Sequence, residues 1–279
     1  MTEPNEVTNP WEQKNKQMED IKERMSHIKH KIAIISGKGG VGKSLVTVNL
    51  ATSLAKKGKM VGVFDSDLTG PTVPKMLGLK GTRLQPGKAG IEPAEGVMGI
   101  KAVSMDFLLP SDESPVVWRG PLKIGAIRQF LGEVNWGSLD YLLVDLPPGT
   151  GDESLSILQL LPEMDGVVIV TIPSQVSQDV VKKSITFARE MKVPILGVVE
   201  NMAELICPHC GEKIELFSRG GGAKVSEEMG VDLLGSIPMD PRIASDSDMG
   251  TPFVISHPES PAAKVFSQIV AQIEEKTER

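Results

Sequence analysis

An α/β fold is predicted for this chain: a mostly parallel sheet of about seven or eight strands, with helices on both faces. Three observations carry that expectation. Seven near-continuous apolar runs recur from residue 31 onward, as expected of parallel strands buried on both faces. Most of them are separated by segments with helical periodicity, the alternation that builds a parallel sheet. Neither an internal repeat nor a linker-like stretch interrupts this pattern, so residues 31–279 read as one domain.

Taken in order, residues 1–30 are polar and highly charged. "WEQKNKQMEDIKERMSHIKH" has Met18, Ile21, Met25 and Ile28 at helical spacing, but the expectation is a frayed or loosely docked extension, partly helical or disordered. "KIAIIS" is the first strand. "KSLVTVNLATSLAKKG" follows as a helix, with Val46, Leu50 and Leu54 on one face and Gly58 closing it. "MVGVFDSD", "GIKAVSM", "YLLVDL" and "GVVIVTI" are further strands. In "SQDVVKKSITFAREM", Val180, Ile185 and Ala188 share a stripe suited to burial. "ILGVVENM" and "LLGSIP" complete the set, and "AAKVFSQIVAQIEEKTER" ends the chain as a helix.

The chain has 279 residues, 40% hydrophobic and 24% charged, with a formal net charge of −6. That composition is globular. The acidic balance argues against extended contact with nucleic acid or anionic lipid, so neither is an expected partner. The N-terminus lacks a secretory pattern, and no run approaches the roughly 20 apolar residues of a membrane span. Two cysteines three positions apart are poor disulfide scaffolding, which points to a reducing cytosol and a cytoplasmic protein.

Ligands of such sheets bind beyond the carboxyl ends of the strands. There, "GKGGVGKS" (Gly37, Lys38, Gly39, Gly40, Val41, Gly42, Lys43, Ser44) fits the P-loop pattern between a strand and a helix. Its glycines let backbone N–H groups converge on phosphate oxygens. Lys43 can neutralise β/γ oxygens, Ser44 can ligand Mg²⁺, and the helix N-terminus adds partial positive charge. A nucleoside triphosphate is the expected ligand. "VFDSDLTGP" places Asp65 and Asp67 just past the second strand, where one carboxylate can hold a magnesium-bound water and another can orient an attacking water. "YLLVDLPPGTGD" supplies Asp145 for Mg²⁺, and Gly149, whose N–H can answer a γ-phosphate. In "VVENMA" the sixth apolar run ends at Asn201, whose amide suits an adenine edge.

The second lysine of the loop, Lys38, resembles the signature of the deviant-Walker ATPases, the MinD, ParA, nitrogenase iron protein and Mrp/ApbC superfamily. That resemblance implies a homodimer in which Lys38 reaches the partner's phosphates and, with Lys43 and Asp67, acts in ATP hydrolysis. It also implies base contacts from Asn201 and from Pro238 in "SIPMDPRI". "DSDLTGPTVPKMLG", "VVWRGP", "WGSLDYLLVDLPPGTGD", "ENMAELICPHCG", "FSRGGG" and "DSDMGTPFV" together resemble the Mrp/ApbC/Nbp branch, iron–sulfur cluster carrier ATPases that serve apo-proteins. Two departures stand out. There is no N-terminal cysteine-rich segment for a second cluster, and Ala244 and Ser245 replace a charged pair common in that branch.

Cys207 and Cys210 form a C-P-H-C-G knuckle with half the thiolates that a cluster or soft metal wants. In a face-to-face dimer, two knuckles meet on the two-fold axis and supply four thiolates to one bridging [4Fe–4S] cluster. A shared Zn²⁺, a redox pair or a metal-free turn fits the same residues, and His209 reads as an exposed knuckle residue. Two other functions compete: a MinD/ParA-type positioning ATPase with a zinc knuckle, and an ATP-coupled reductase. The first needs a basic amphipathic tail, whereas Val265, Phe266, Ile269, Val270 and Ile273 of the last helix suit core packing.

Overall fold

The computed structural model describes residues 10–67, 70–108, 120–206, 210, 212–214 and 220–278. Helix α1 (Pro10–Ser26) leads into β1 (Ile28–Ser36), the phosphate loop and α2 (Lys43–Lys56). Then come β2 (Val61–Asp65), α3 (Val73–Met76), the hairpin of β3 (Gln85–Gly87) and β4 (Gly90–Glu92), β5 (Ala94–Glu95) and β6 (Lys101–Ser104). The middle of the chain holds α4 (Gly120–Glu133), β7 (Leu139–Asp145), α5 (Asp152–Leu160), β8 (Gly166–Thr171), α6 (Gln175–Glu190) and β9 (Ile195–Glu200). A second small hairpin, β10 (Leu205–Ile206) and β11 (Lys213–Ile214), precedes α7 (Gly221–Met229) and β12 (Leu233–Ser236). The chain closes with α8 (Arg242–Met249), α9 (Phe253–Ser256) and α10 (Pro261–Thr277).

Among the described residues the main sheet has eight strands, ordered β12-β9-β8-β1-β7-β2-β6-β5. Every pairing is parallel except that of β5 with β6. The seven apolar runs are the seven parallel strands. The eighth, β5, has only two residues and no apolar run to announce it. One apolar layer lies between the sheet and α2 with α10, built from Ile34, Val46, Leu50, Leu54, Phe266 and Ile269 among others. The other covers the opposite face under α1, α4, α5 and α6.

Three expectations need amendment. The stretch read as a frayed lead-in is a packed helix across residues 10–26, with Ile21 and Met25 fully buried beside α4. Lys31, itself buried, donates from Nζ to the carbonyls of Ile28 (3.0 Å) and Met25 (3.4 Å), so it holds the end of α1 onto β1. The boundary at residue 31 therefore falls inside a strand. An apolar stripe one residue wide is a weak signal in sequence, yet each such side chain gains roughly 1.5–3 kcal/mol on full burial. On α6 the buried stripe is Val181, Ile185 and Ala188; Val180 leans instead on the phosphate loop at Gly37. On the last helix Phe266, Ile269, Val270 and Ile273 are buried and Val265 is only partly so.

Candidate functional site

The central strands end in a row of polar side chains. Parallel register sets Asp65 of β2 beside Asp145 of β7 and Ser104 of β6 beside Asp65. Both aspartates are fully buried. Two carboxylates brought together in this way need cations or donors, and the elements above the sheet supply them.

Asp145 is the hub. Its Oδ2 is 2.7 Å from Lys43 Nζ and accepts Ser44 Oγ at 2.5 Å, while its Oδ1 accepts Thr47 Oγ1 at 2.6 Å. Lys43, Ser44 and Thr47 sit at the start of α2, where Thr47, four and three positions on from the other two, shares their face. The Asp145 carbonyl accepts both the N–H and the hydroxyl of Ser66 (3.0 and 2.7 Å), which fixes the turn after β2. Asp65 accepts the Asp67 N–H on Oδ1 (3.2 Å), and the Val73 N–H and Ser104 hydroxyl on Oδ2 (3.3 Å each). Burial, then the Asp145 charge, push its carboxyl up to about 8, with Lys43 opposing them.

A cavity of about 250 Å³ opens above this row, lined by Gly40, Lys43, Ser44, Asp67, Thr72 and Pro148 among others. Its glycine-rich backbone suits polyphosphate. Ser44 lines the cavity and its hydroxyl is bonded to the buried Asp145 carboxylate behind the lining, oxygen donors of the hard kind that Mg²⁺ takes. Asp67 is half-buried, and its Oδ1 accepts the Gly70 N–H at 3.3 Å. Lys38 is half-buried and its carbonyl accepts Ser36 Oγ.

Other predicted residues stand elsewhere or are engaged differently. Asn201, expected at an adenine edge, donates from Nδ2 to the Val41 carbonyl of the phosphate loop at 2.9 Å and is buried. It fits there because Gly42 has φ 80° and no side chain; a Cβ would lie 2.2 Å from the Asn201 amide nitrogen. The Gly149 N–H is held by the Ser36 carbonyl at 2.8 Å. Pro238 is buried in the loop after β12, outside the lining of the cavity. Cys210 is exposed between β10 and β11, and Cys207 lies outside the described residues. Sequence reasoning missed Thr47, Ser66 and Ser104. Thr47 carried a usable signal, since it follows Lys43 by four positions on a predicted helix.

A family model for ParA, described as a NUBPL iron-transfer P-loop NTPase, matches residues 27–274. The chain belongs to this family. As a P-loop NTPase of that kind it is a nucleotide-binding protein. It is 52% identical to the "Iron-sulfur cluster carrier protein" of Saccharolobus solfataricus, over 97% of this chain and 96% of that one. A relative of the same name from Methanocaldococcus jannaschii is 53% identical, covering 92% and 88%. Among solved structures, a nucleotide-binding protein from Archaeoglobus fulgidus in complex with ADP is 44% identical, with a TM-score of 0.75 and coverage of 84% and 91%. MinD of Pyrococcus horikoshii, at 24% identity and a TM-score of 0.66, shares the fold of this P-loop NTPase over 88% and 96%.

Proposed function

We propose that this chain is an ATP-hydrolysing iron–sulfur cluster carrier that holds a [4Fe–4S] cluster between two copies of itself and passes it to apo-proteins. The observation that supports it most is the pairing, in one chain, of a phosphate cavity over Asp145 with an exposed Cys210 on a hairpin rooted beside that cavity. The carrier relatives, 52% and 53% identical over most of their length, favour the same reading.

In this reading the loop amides and Lys43 hold the β- and γ-phosphates. Ser44, Asp65 and Asp145 would hold Mg²⁺, which neutralises phosphate charge when bound. Asp67 accepts the proton of the water whose oxygen attacks the γ-phosphorus as the bond to the β-bridging oxygen breaks. Lys38 meets that developing charge from the partner subunit, so turnover waits on dimer formation and is slow. Asn201 steadies the loop at Val41, beside the base. The cargo is held by Cys207 and Cys210 of each copy, in the cytoplasm, without nucleic acid or membrane.

Anaerobic reconstitution with iron and sulfide tests it on one sample, with metal, sulfide and mass measured together. About four irons and four sulfides per dimer are expected. Tight zinc uptake without sulfide would make the knuckle a structural staple and leave a dimeric ATPase.

A further inference from the structure

Helix α2 carries phosphate-binding residues at its start and borders a second cavity at its far end. This cavity, of about 200 Å³, lies where α2 meets α9 and α10, and it shares no lining residue with the phosphate cavity. Val254, Pro258, Ala263 and Val270 give it apolar walls; Ser53, Ser267, Lys56 and Lys57 give it polar ones. Along the helix, Ser53 stands roughly 14 Å of rise beyond Ser44.

Ser53 is 6% exposed, and its Oγ has no hydrogen-bond partner among the described residues. Other hydroxyls of α2 bond back to the carbonyl four positions before them, as Thr47 does to Lys43 and Thr52 to Val48. Ser53 makes no such bond. A buried hydroxyl left unpaired costs stability, so a ligand group that bonds it from the cavity recovers that cost.

Charge selects the kind of group. The lining holds two lysines and no carboxylate. Lys57 is paired with Glu274 of α10. Lys56 has no carboxylate partner among the described residues; its Nζ donates to the Val254 carbonyl at 3.0 Å, which leaves the charge unneutralised and two of the three ammonium protons for a ligand. Asn49 Oδ1 accepts the Val254 N–H at 3.1 Å, so α2 grips that residue from both sides and holds the wall in place. The last carbonyls of α2 are already taken, Leu54 by the Lys57 N–H (3.0 Å) and Ala55 by the Gly58 N–H (2.9 Å), and so do not call for a cation.

We propose that this cavity binds a small aliphatic carboxylate. Its oxygens accept from the Ser53 hydroxyl and the Lys56 ammonium, and its chain lies against Val254, Pro258, Ala263 and Val270. At about 200 Å³ the space falls below the roughly 300–1,000 Å³ of sites for drug-sized ligands, which limits the occupant to a few carbons. The site is separate from both the nucleotide and the cysteines.

Butyrate is the probe, titrated into full-length protein saturated with Mg-ADP while backbone amide shifts are followed. Saturable shifts at Ser53, Val254 and Ala263 are expected, with a Kd on the order of 1 mM. n-Butylamine, of similar shape and opposite charge, should bind roughly tenfold more weakly or worse. Ser53→Ala should weaken butyrate roughly tenfold, the effect of losing a hydrogen bond to a charged group. Its Tm should hold or rise, because the substitution deletes a buried hydroxyl that has no partner, and this separates a lost ligand contact from a damaged fold. Lys56→Met should cost roughly two- to fivefold, the smaller effect of an exposed charge, and high salt should mimic it. Shifts that never saturate, or that are confined to the phosphate loop, would overturn the assignment. So would n-butylamine or inorganic phosphate binding as tightly as butyrate, or an unchanged affinity in Ser53→Ala.

Discussion

Thr47 shows how a residue outside every motif becomes part of a site. Its hydroxyl has no solvent access and donates to the same carboxylate that Lys43 and Ser44 reach. Thr47→Val keeps the shape but leaves Asp145 Oδ1 without that donor, at a cost of about 1–3 kcal/mol. Thermal unfolding together with an ADP titration in Mg²⁺ checks this: both Tm and affinity should drop, and an unaltered affinity would remove Thr47 from the site. Asp65 makes a different prediction. Its folded pKa of about 8 lies above the ordinary 3.8, so the folded state binds the proton more tightly. The stability this contributes is complete below the ordinary value and is lost as pH rises through about 8. Chelator-treated protein should therefore lose Tm between neutral and mildly alkaline pH, and Asp65→Asn should flatten that slope. Equal slopes in the two proteins would contradict the burial argument.

At the scale of elements, α1 is the informative case. Its sequence is mostly polar, and the apolar stripe is so narrow that solvation looks as favourable as docking. Docking wins because Ile21 and Met25 find α4 and because Lys31 of β1 donates to the Met25 carbonyl near the end of α1 and to the Ile28 carbonyl at the start of β1. Ile21→Ala should cost about 2–5 kcal/mol. Leu122→Ala, on an exposed position of α4, should stay within about 0.5 kcal/mol. Denaturant midpoints of the two variants separate a packed α1 from an ornamental one. The parallel strands were legible because burial on both faces forces a continuous apolar run. The small hairpins and β5 were not, since two or three residues carry no period.

For the whole molecule, the proposed carrier reading makes the two cysteines set the terms of assembly. Cluster-loaded protein should sediment as a dimer, and Cys210→Ser should abolish stoichiometric iron while leaving ADP affinity within about threefold. Iron retained by Cys210→Ser would exclude a four-thiolate bridge. By itself, the sequence determined the fold class, the phosphate loop and the C-x-x-C knuckle. Each is written in contiguous residues whose chemistry is local: glycines that free backbone N–H groups, apolar runs that must be buried, thiols three positions apart. Only the tertiary structure decided that Asp65 and Asp145 face each other, that Thr47 serves Asp145 across 98 positions, that Asn201 holds the phosphate loop and that Glu200 clamps Gly222. Those pairings follow from strand register and helix docking, which bring distant residues within hydrogen-bond reach and leave no periodic trace along the chain.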